Sequence, residues 1–386
     1  MMRKLLLFII LTSTFMNSQV IKDTVLGRPK FVKEFVVFLN DSGPFTFMEG
    51  DNEYGHAMIM TPENLRSSMK NTWFETDFCR YINNETYYDK NRNITKETWY
   101  YKSGEIVDDY VYTYDHLNRL IAKKSKNNYS ESLLHYFYDK DDKVPNFKEY
   151  ASKWKDEPWE KYVNKIEDYK SLTVSKFDST SKTDSIFVIT NEIWKKVDDS
   201  SYSYVPDAIY QKKLSSVTIY NDKYEMTESK SFNFKNDYQN KKITETGYFK
   251  YEYDDIGHLK KMTGFDNGNL GDYSTTIYEN GKIVRKEIRM GENTWITIYS
   301  YTKDQDVKRK TVYYDNKLWH DIEFEYKDNY ISKLFYLDKF GRVDEQIEPT
   351  IISFKYKFDK RKNWIEIIKN VNGKDLYKWV RKIEYY

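Results

Sequence analysis

Apolar and polar positions alternate with a period of two over long stretches of this chain, and aromatic rings fill many of the apolar ones. In Ile322-Glu323-Phe324-Glu325-Tyr326 the apolar side chains fall on one face of an extended strand and the glutamates on the other. Phe354, Tyr356 and Phe358 alternate with Lys355 and Lys357 in the same manner. Each alternating run stops at an acidic or amide turn and resumes with a basic–apolar step. Tyr251-Glu252-Tyr253-Asp254-Asp255-Ile256-Gly257-His258-Leu259 is the cleanest copy. The pattern predicts an all-β chain of tandem antiparallel β-hairpin repeats, forming a long, curved, twisted sheet or partial barrel.

Other copies follow the same order of residue types. Tyr112-Thr113-Tyr114-Asp115 leads into Asn118-Arg119-Leu120, and Tyr136-Phe137-Tyr138-Asp139 leads into Lys143-Val144. Tyr278-Glu279-Asn280-Gly281-Lys282-Ile283, Tyr313-Tyr314-Asp315-Asn316-Lys317-Leu318 and Tyr336-Leu337-Asp338-Lys339-Phe340-Gly341-Arg342-Val343 extend the series. Where the copies are densest, the aromatic anchors recur about every 10–13 residues, one short strand plus its turn. The Asp or Asn can fold its side chain back onto the backbone, and Gly257, Gly281 and Gly341 can supply positive φ. Asn280-Gly281 is the preferred pair for a two-residue hairpin turn. Tyr251 and Tyr253 are expected on one face, with Tyr278, Tyr301 and Tyr326 on neighbouring strands.

This unit resembles the tyrosine–aspartate (YD) repeat of the Rhs-like family, which reads approximately Y-x-Y-D-x-x-G-R-L. The resemblance covers mainly residues 86–145 and 216–386, and suggests a small secreted member without a toxin domain. It implies a sheet of hairpins and no catalytic residues, since the enzymatic parts of such proteins lie in separate domains.

The N-terminus carries a different signal. Arg3-Lys4 precede an apolar run from Leu5 to Leu11, then the polar stretch Thr12-Ser13-Thr14 and a region ending at Asn17-Ser18-Gln19. This reads as a secretory signal peptide over residues 1–19, because the run is too short for a membrane span of about 20 residues. The rest divides into a non-repeat segment (20–85), a first repeat block (86–145), a degenerate Trp-containing segment (146–215) and a second repeat block (216–386). In the non-repeat segment, Lys33–Leu39 reads as a strand. Thr61-Pro62 reads as an N-cap followed by the first residue of a helix that ends before Trp73.

Composition narrows the function classes. With 37 tyrosines and 22 phenylalanines, the core is expected to be aromatic rather than aliphatic. Lys+Arg at 62 against Asp+Glu at 60 lacks the basic excess of a nucleic-acid surface. Cys79 is the only cysteine, which excludes an intrachain disulfide, and its aromatic neighbours suggest a buried structural thiol. His56, His116, His135, His258 and His320 share no ligand spacing, and His116 and His258 sit in repeat turns. Clustered oxygens at Asp139–Asp142 and Asp266–Asn269 read as turn chemistry rather than as calcium loops. No metal or cofactor is expected.

The expectation is therefore a secreted or periplasmic, non-enzymatic repeat protein that acts as a scaffold for protein binding. A carbohydrate-binding module using exposed aromatics is the alternative, and an envelope hydrolase with an unlocalised carboxylate pair is a further one. If a ligand site exists, Trp154, Trp159 and Trp194 in the degenerate segment are its candidates, to be weighed against a core role.

Overall fold

The computed structural model describes residues 25–39, 62–101, 103–127, 130–138, 147–154, 170–196, 202–233, 244–266, 273–342 and 345–386. The proposed signal peptide, Thr61, Trp159 and the Asp139–Asp142 cluster lie outside the described residues. The all-β expectation holds: the described residues form 22 strands and one helix. In chain order these are β1 (Pro29–Phe38), α1 (Pro62–Glu75), β2 (Asn83–Tyr88), β3 (Ile94–Tyr100), β4 (Ile106–Tyr114) and β5 (Leu120–Asn127). Next come β6 (Ser130–Phe137), β7 (Phe147–Trp154), β8 (Lys170–Asp178), β9 (Thr183–Lys196), β10 (Tyr202–Tyr220) and β11 (Met226–Asn233). The series continues with β12 (Thr244–Tyr253), β13 (Leu259–Asp266), β14 (Tyr273–Glu279), β15 (Lys282–Met290), β16 (Asn293–Tyr301) and β17 (Val307–Tyr314). It closes with β18 (Lys317–Lys327), β19 (Tyr330–Asp338), β20 (Thr350–Phe358), β21 (Trp364–Val371) and β22 (Lys374–Tyr385).

Two compact units emerge. A mid-chain unit comprises Lys176–Ile186 and Leu214–Ile351, and a terminal unit comprises Asp23–Ser175, Phe187–Lys213 and Ile352–Tyr386. The mid-chain unit is a ladder of consecutive antiparallel hairpins from the end of β10 through β19. Tyr253, Tyr278, Tyr301 and Tyr326 lie on β12, β14, β16 and β18 of this ladder, hence on alternate rather than adjacent strands. In the terminal unit β1 is the organising strand. It pairs with β22 on one side and β2 on the other, joining the last hairpins of the chain to the first. Among the described residues neither ladder pairs its first strand with its last.

The turns explain the repeat. In the long turns, one side-chain oxygen of the leading Asp or Asn accepts the backbone N–H groups two and four residues on. Asp89, Asp115, Asn221, Asp254 and Asp359 all do this, at 2.7–3.1 Å. The fourth turn residue then takes positive φ: 71° at Arg92, 64° at Asn118, 61° at Tyr224, 86° at Gly257 and 65° at Lys362. Glycine is therefore not required there. The carboxylate hub holds the turn while other residues occupy the left-handed region. The short turns at Asn280-Gly281, Asp315-Asn316, Asp328-Asn329 and Asn372-Gly373 have positive φ at both central residues, as two-residue hairpins require.

Many hairpins also carry one extra residue on the return strand, whereas β5–β6, β13–β14 and β15–β16 pair in continuous register. Glu252 pairs with Lys261 but Tyr253 pairs with Leu259, and Glu325 pairs with Lys333 but Tyr326 pairs with Ile331. Lys260 and Ser332 are the inserted residues. Such bulges bend the strand and steepen its local twist.

The terminal unit has the better-built core. Trp73 and Phe74 of α1 are buried against the C-terminal hairpins, with ring centroids 5.5 Å apart for Trp73–Trp379 and 5.2 Å for Phe74–Phe354. The Lys369 ammonium reaches under the end of α1 and donates to the carbonyls of Thr72 (3.0 Å) and Phe78 (2.6 Å). Arg381 pairs with the buried Glu34 and stacks 3.6 Å over Trp364. Cys79 is buried and free, and burial pushes its thiol pKa up. The expectation of an aromatic core needs correction. Ile82, Ile352 and Ile367 of the terminal unit and Ile331 and Leu334 of the mid-chain unit are fully buried, whereas Tyr251 and Tyr253 are only half-buried.

Candidate functional site

Four aromatic rings form a continuous strip across β16–β19 of the mid-chain unit. Trp295 lies directly opposite Tyr314 in the β16–β17 register, with ring centroids 5.0 Å apart. Tyr314 meets Trp319 at 5.1 Å, and Trp319 meets Phe340 at 5.3 Å. Directly opposed residues share a face, so Ile288, which pairs with Trp295, extends the strip, and Met290 follows two residues on. Phe340 is 63% exposed, Met290 59% and Ile288 38%, while Trp295, Tyr314 and Trp319 are half-exposed.

Local turn geometry builds this strip. The Asp315-Asn316 turn brings β18 back beside β17, and the register then skips one residue between Val312–His320 and Tyr313–Leu318. Trp319 is that inserted residue. Asp315 accepts the Thr294 N–H (2.7 Å) and donates its own N–H to the Thr294 carbonyl (2.9 Å), which ties this turn to β16. Lys339 N–H donates to the Trp319 carbonyl at 2.8 Å, which seats the Phe340 turn against β18. Polar groups rim the strip. Tyr314 Oη donates to Asn293 Oδ1 (2.8 Å), and His320 stacks on Trp319 at an interplanar angle of 19°. Burial works against the Asp338 carboxylate. The His320 imidazole, the Phe340 amide and Arg342 outweigh it and hold its pKa below the ordinary value.

The tryptophans expected at a ligand site are not part of this strip. Trp154 ends β7 and Trp194 lies in β9, where only their backbone is described, and Trp159 lies outside the described residues. Trp295 and Trp319 went unnoticed because the repeat pattern assigns its aromatics to the sheet interior. One signal was present in the sequence: Phe340 occupies an exposed turn position, where the repeat has no structural use for a large apolar ring.

No family model matches the chain, and no curated protein matches it in sequence. Solved structures similar to it include a crystal structure of TcdB2-TccC3-Cdc42, at 10% identity and a TM-score of 0.29. That alignment covers 77% of this chain and 19% of the other, so the chain spans about a fifth of that protein. The Photorhabdus luminescens Tc holotoxin pore gives 10% identity, a TM-score of 0.28 and the same coverage. A porin-like protein from Bacteroides uniformis gives 8% identity and a TM-score of 0.16, over 92% of this chain and 96% of that one.

Proposed function

We propose that this chain is an exported, YD-type hairpin-repeat scaffold that acts by binding a protein partner, without catalytic turnover. The aromatic strip Trp295–Tyr314–Trp319–Phe340 is the observation that carries the reading. Contiguous rings with a polar rim match the composition of protein-binding patches, which are enriched in Trp, Tyr and Phe at their centres. Neighbouring rings are tilted by 47°, 42° and 32°, so they make a ridge suited to packing into a partner rather than a flat platform. A second reading, carbohydrate binding, is favoured by one detail: Trp319 and His320 lie within 19° of parallel and could stack on a sugar face.

Export is supported by the Arg3-Lys4 start and the Leu5–Leu11 run, and places the chain in the periplasm or outside the cell. N-terminal sequencing of the mature protein should return a start near Gln19 or Val20; recovery of Met1 from a cytoplasmic fraction would refute it. The binding surface is tested with a photo-crosslinking amino acid at Phe340 and, as control, at Glu325 on an exposed β18 position. Protein adducts specific to Phe340 and abolished by Trp319→Ala support the scaffold reading. Retention on polysaccharide with no protein adduct would transfer the strip to the second reading.

A further inference from the structure

A separate feature of the terminal unit is a polar groove of about 640 Å³ where two long turns and the segment leading into β1 meet. Its lining includes Arg28, Lys90, Asn91, Arg92, His116 and Asn118. The floor is fixed by amide bridges between the two turns: Asn91 Nδ2 donates to Asn118 Oδ1 at 3.2 Å, and Asn118 Nδ2 donates to Asn93 Oδ1 at 3.3 Å.

The charges in this groove do not cancel. Asp89 Oδ1 accepts the N–H groups of Asn91 and Asn93, and its Oδ2 accepts from Asn93 Nδ2. Asp115 is held likewise by Leu117 and Arg119 N–H and by the Arg119 guanidinium. Both carboxylates are consumed inside their own turns. Arg28, Lys90, Arg92 and His116 have no side-chain partner among the described residues.

The turn does not demand these cations. Its geometry fixes only the leading carboxylate or amide and the fourth residue's positive φ. The equivalent turn at 254–258 fills the second and fourth positions with Asp255 and Gly257, where this one has Lys90 and Arg92. Arg92 also sits at φ 71°, a conformation that glycine adopts at lower cost. Three cations without side-chain partners around one amide-bridged floor point to an anionic ligand rather than to folding.

We propose that this groove binds a phosphate ester. Two guanidinium forks and an ammonium suit a dianionic oxyanion better than a single carboxylate, and the amides of Asn91 and Asn118 are placed beside them as neutral donors. The volume exceeds that of a lone ion and falls in the range of small-molecule sites, roughly 300–1,000 Å³. The ester is carried by a soluble phosphorylated compound or by a lipid headgroup.

The test titrates the full chain with glucose 6-phosphate and with glucose, and co-sediments it with phosphatidylcholine vesicles with and without phosphatidate. Binding to glucose 6-phosphate but not glucose identifies a soluble ligand, and pelleting only with phosphatidate identifies a headgroup. Either result should weaken about tenfold in Arg92→Gly and in Arg28→Gln, and fall with added salt. Arg92→Gly separates binding from folding, because it relieves the backbone while removing the charge. No phosphate-dependent binding in either arm, unchanged affinity in Arg92→Gly, or retention by single-stranded DNA alone would overturn the proposal.

Discussion

The phenolic hydroxyl of Tyr326 donates a 2.8 Å hydrogen bond to the main-chain carbonyl of Val307, the first residue of the preceding return strand. The same link recurs as Tyr114 to Ile94 (2.9 Å), Tyr138 to Leu120 (2.7 Å) and Tyr301 to Ile283 (2.6 Å). In each case the tyrosine immediately before the turn reaches back to the apolar residue that starts the previous hairpin's return strand. This gives the repeat a reason to use Tyr rather than Phe at that position: the ring packs on the sheet and the hydroxyl joins one repeat to the last. Tyr326→Phe keeps the ring and removes only the bond, so it should cost about 0.5–1.5 kcal/mol. Urea titration measures this directly, and an unchanged midpoint would reduce the link to a bystander.

The face assignment of β18 leads to a second expectation. Phe324 is 4% exposed and its neighbour Glu325 faces solvent. Phe324→Ala should cost about 3–5 kcal/mol through lost burial and the cavity left behind. Glu325→Ala should stay within roughly 0.5 kcal/mol. Similar losses from the two substitutions would contradict the alternation on which the ladder is built.

Strain at the left-handed turn position supplies a third. Gln305 holds φ at 68° in the turn led by Thr302, whose hydroxyl accepts the Asp306 N–H at 3.2 Å. Gln305→Gly should stabilise the chain by about 0.5–1 kcal/mol, since relief of the left-handed strain outweighs the added freedom of the unfolded chain. Gly257→Ala should act in the opposite direction. Its φ is 86°, and an added Cβ would lie 2.6 Å from Glu225 Oε1. Thermal melts of the two variants should move apart, and a shift of both in one direction would mean that φ does not govern this position.

Much of this fold was legible because its information is local. Period-two alternation at Ile322–Tyr326, the Asn280-Gly281 pair and Pro62 at the helix start each act within a few residues. The insertion of β1 between β22 and β2 was not legible, because nothing in Pro29–Phe38 names a partner more than 300 residues away. The half-buried state of Tyr253 was hidden for a related reason. Alternation says which residues share a face, but not whether a second layer covers it. The aromatic strip escaped for the same cause: Trp319 is placed by a register skip, and a skip leaves no mark in residue type.

Lys369 yields the last prediction. It is wholly buried, its ammonium held by two carbonyls at the end of α1 and 5.7 Å from the Trp73 ring. Desolvation by burial outweighs the nearby Cys79 and Asp77 and pushes its pKa down to about 7. The unfolded chain carries an ordinary lysine near 10.4, so between about pH 7 and 10 the unfolded state binds more protons than the folded one. Stability should therefore rise with pH across that window and level off below it. Lys369→Met removes the titration and leaves the two carbonyls without their donor. The variant should be less stable at pH 7 yet lack the rise toward pH 9.5, the upper limit being set by tyrosine ionisation. Cys79 stays a thiol in the folded protein while the unfolded chain's thiol ionises above about pH 8.5, which opposes the rise in both proteins and cancels in their difference. Urea midpoints of the two proteins at matched pH values isolate the effect as a difference. Parallel curves would mean that Lys369 keeps its proton in the folded state, with the Thr72 and Phe78 carbonyls compensating its burial.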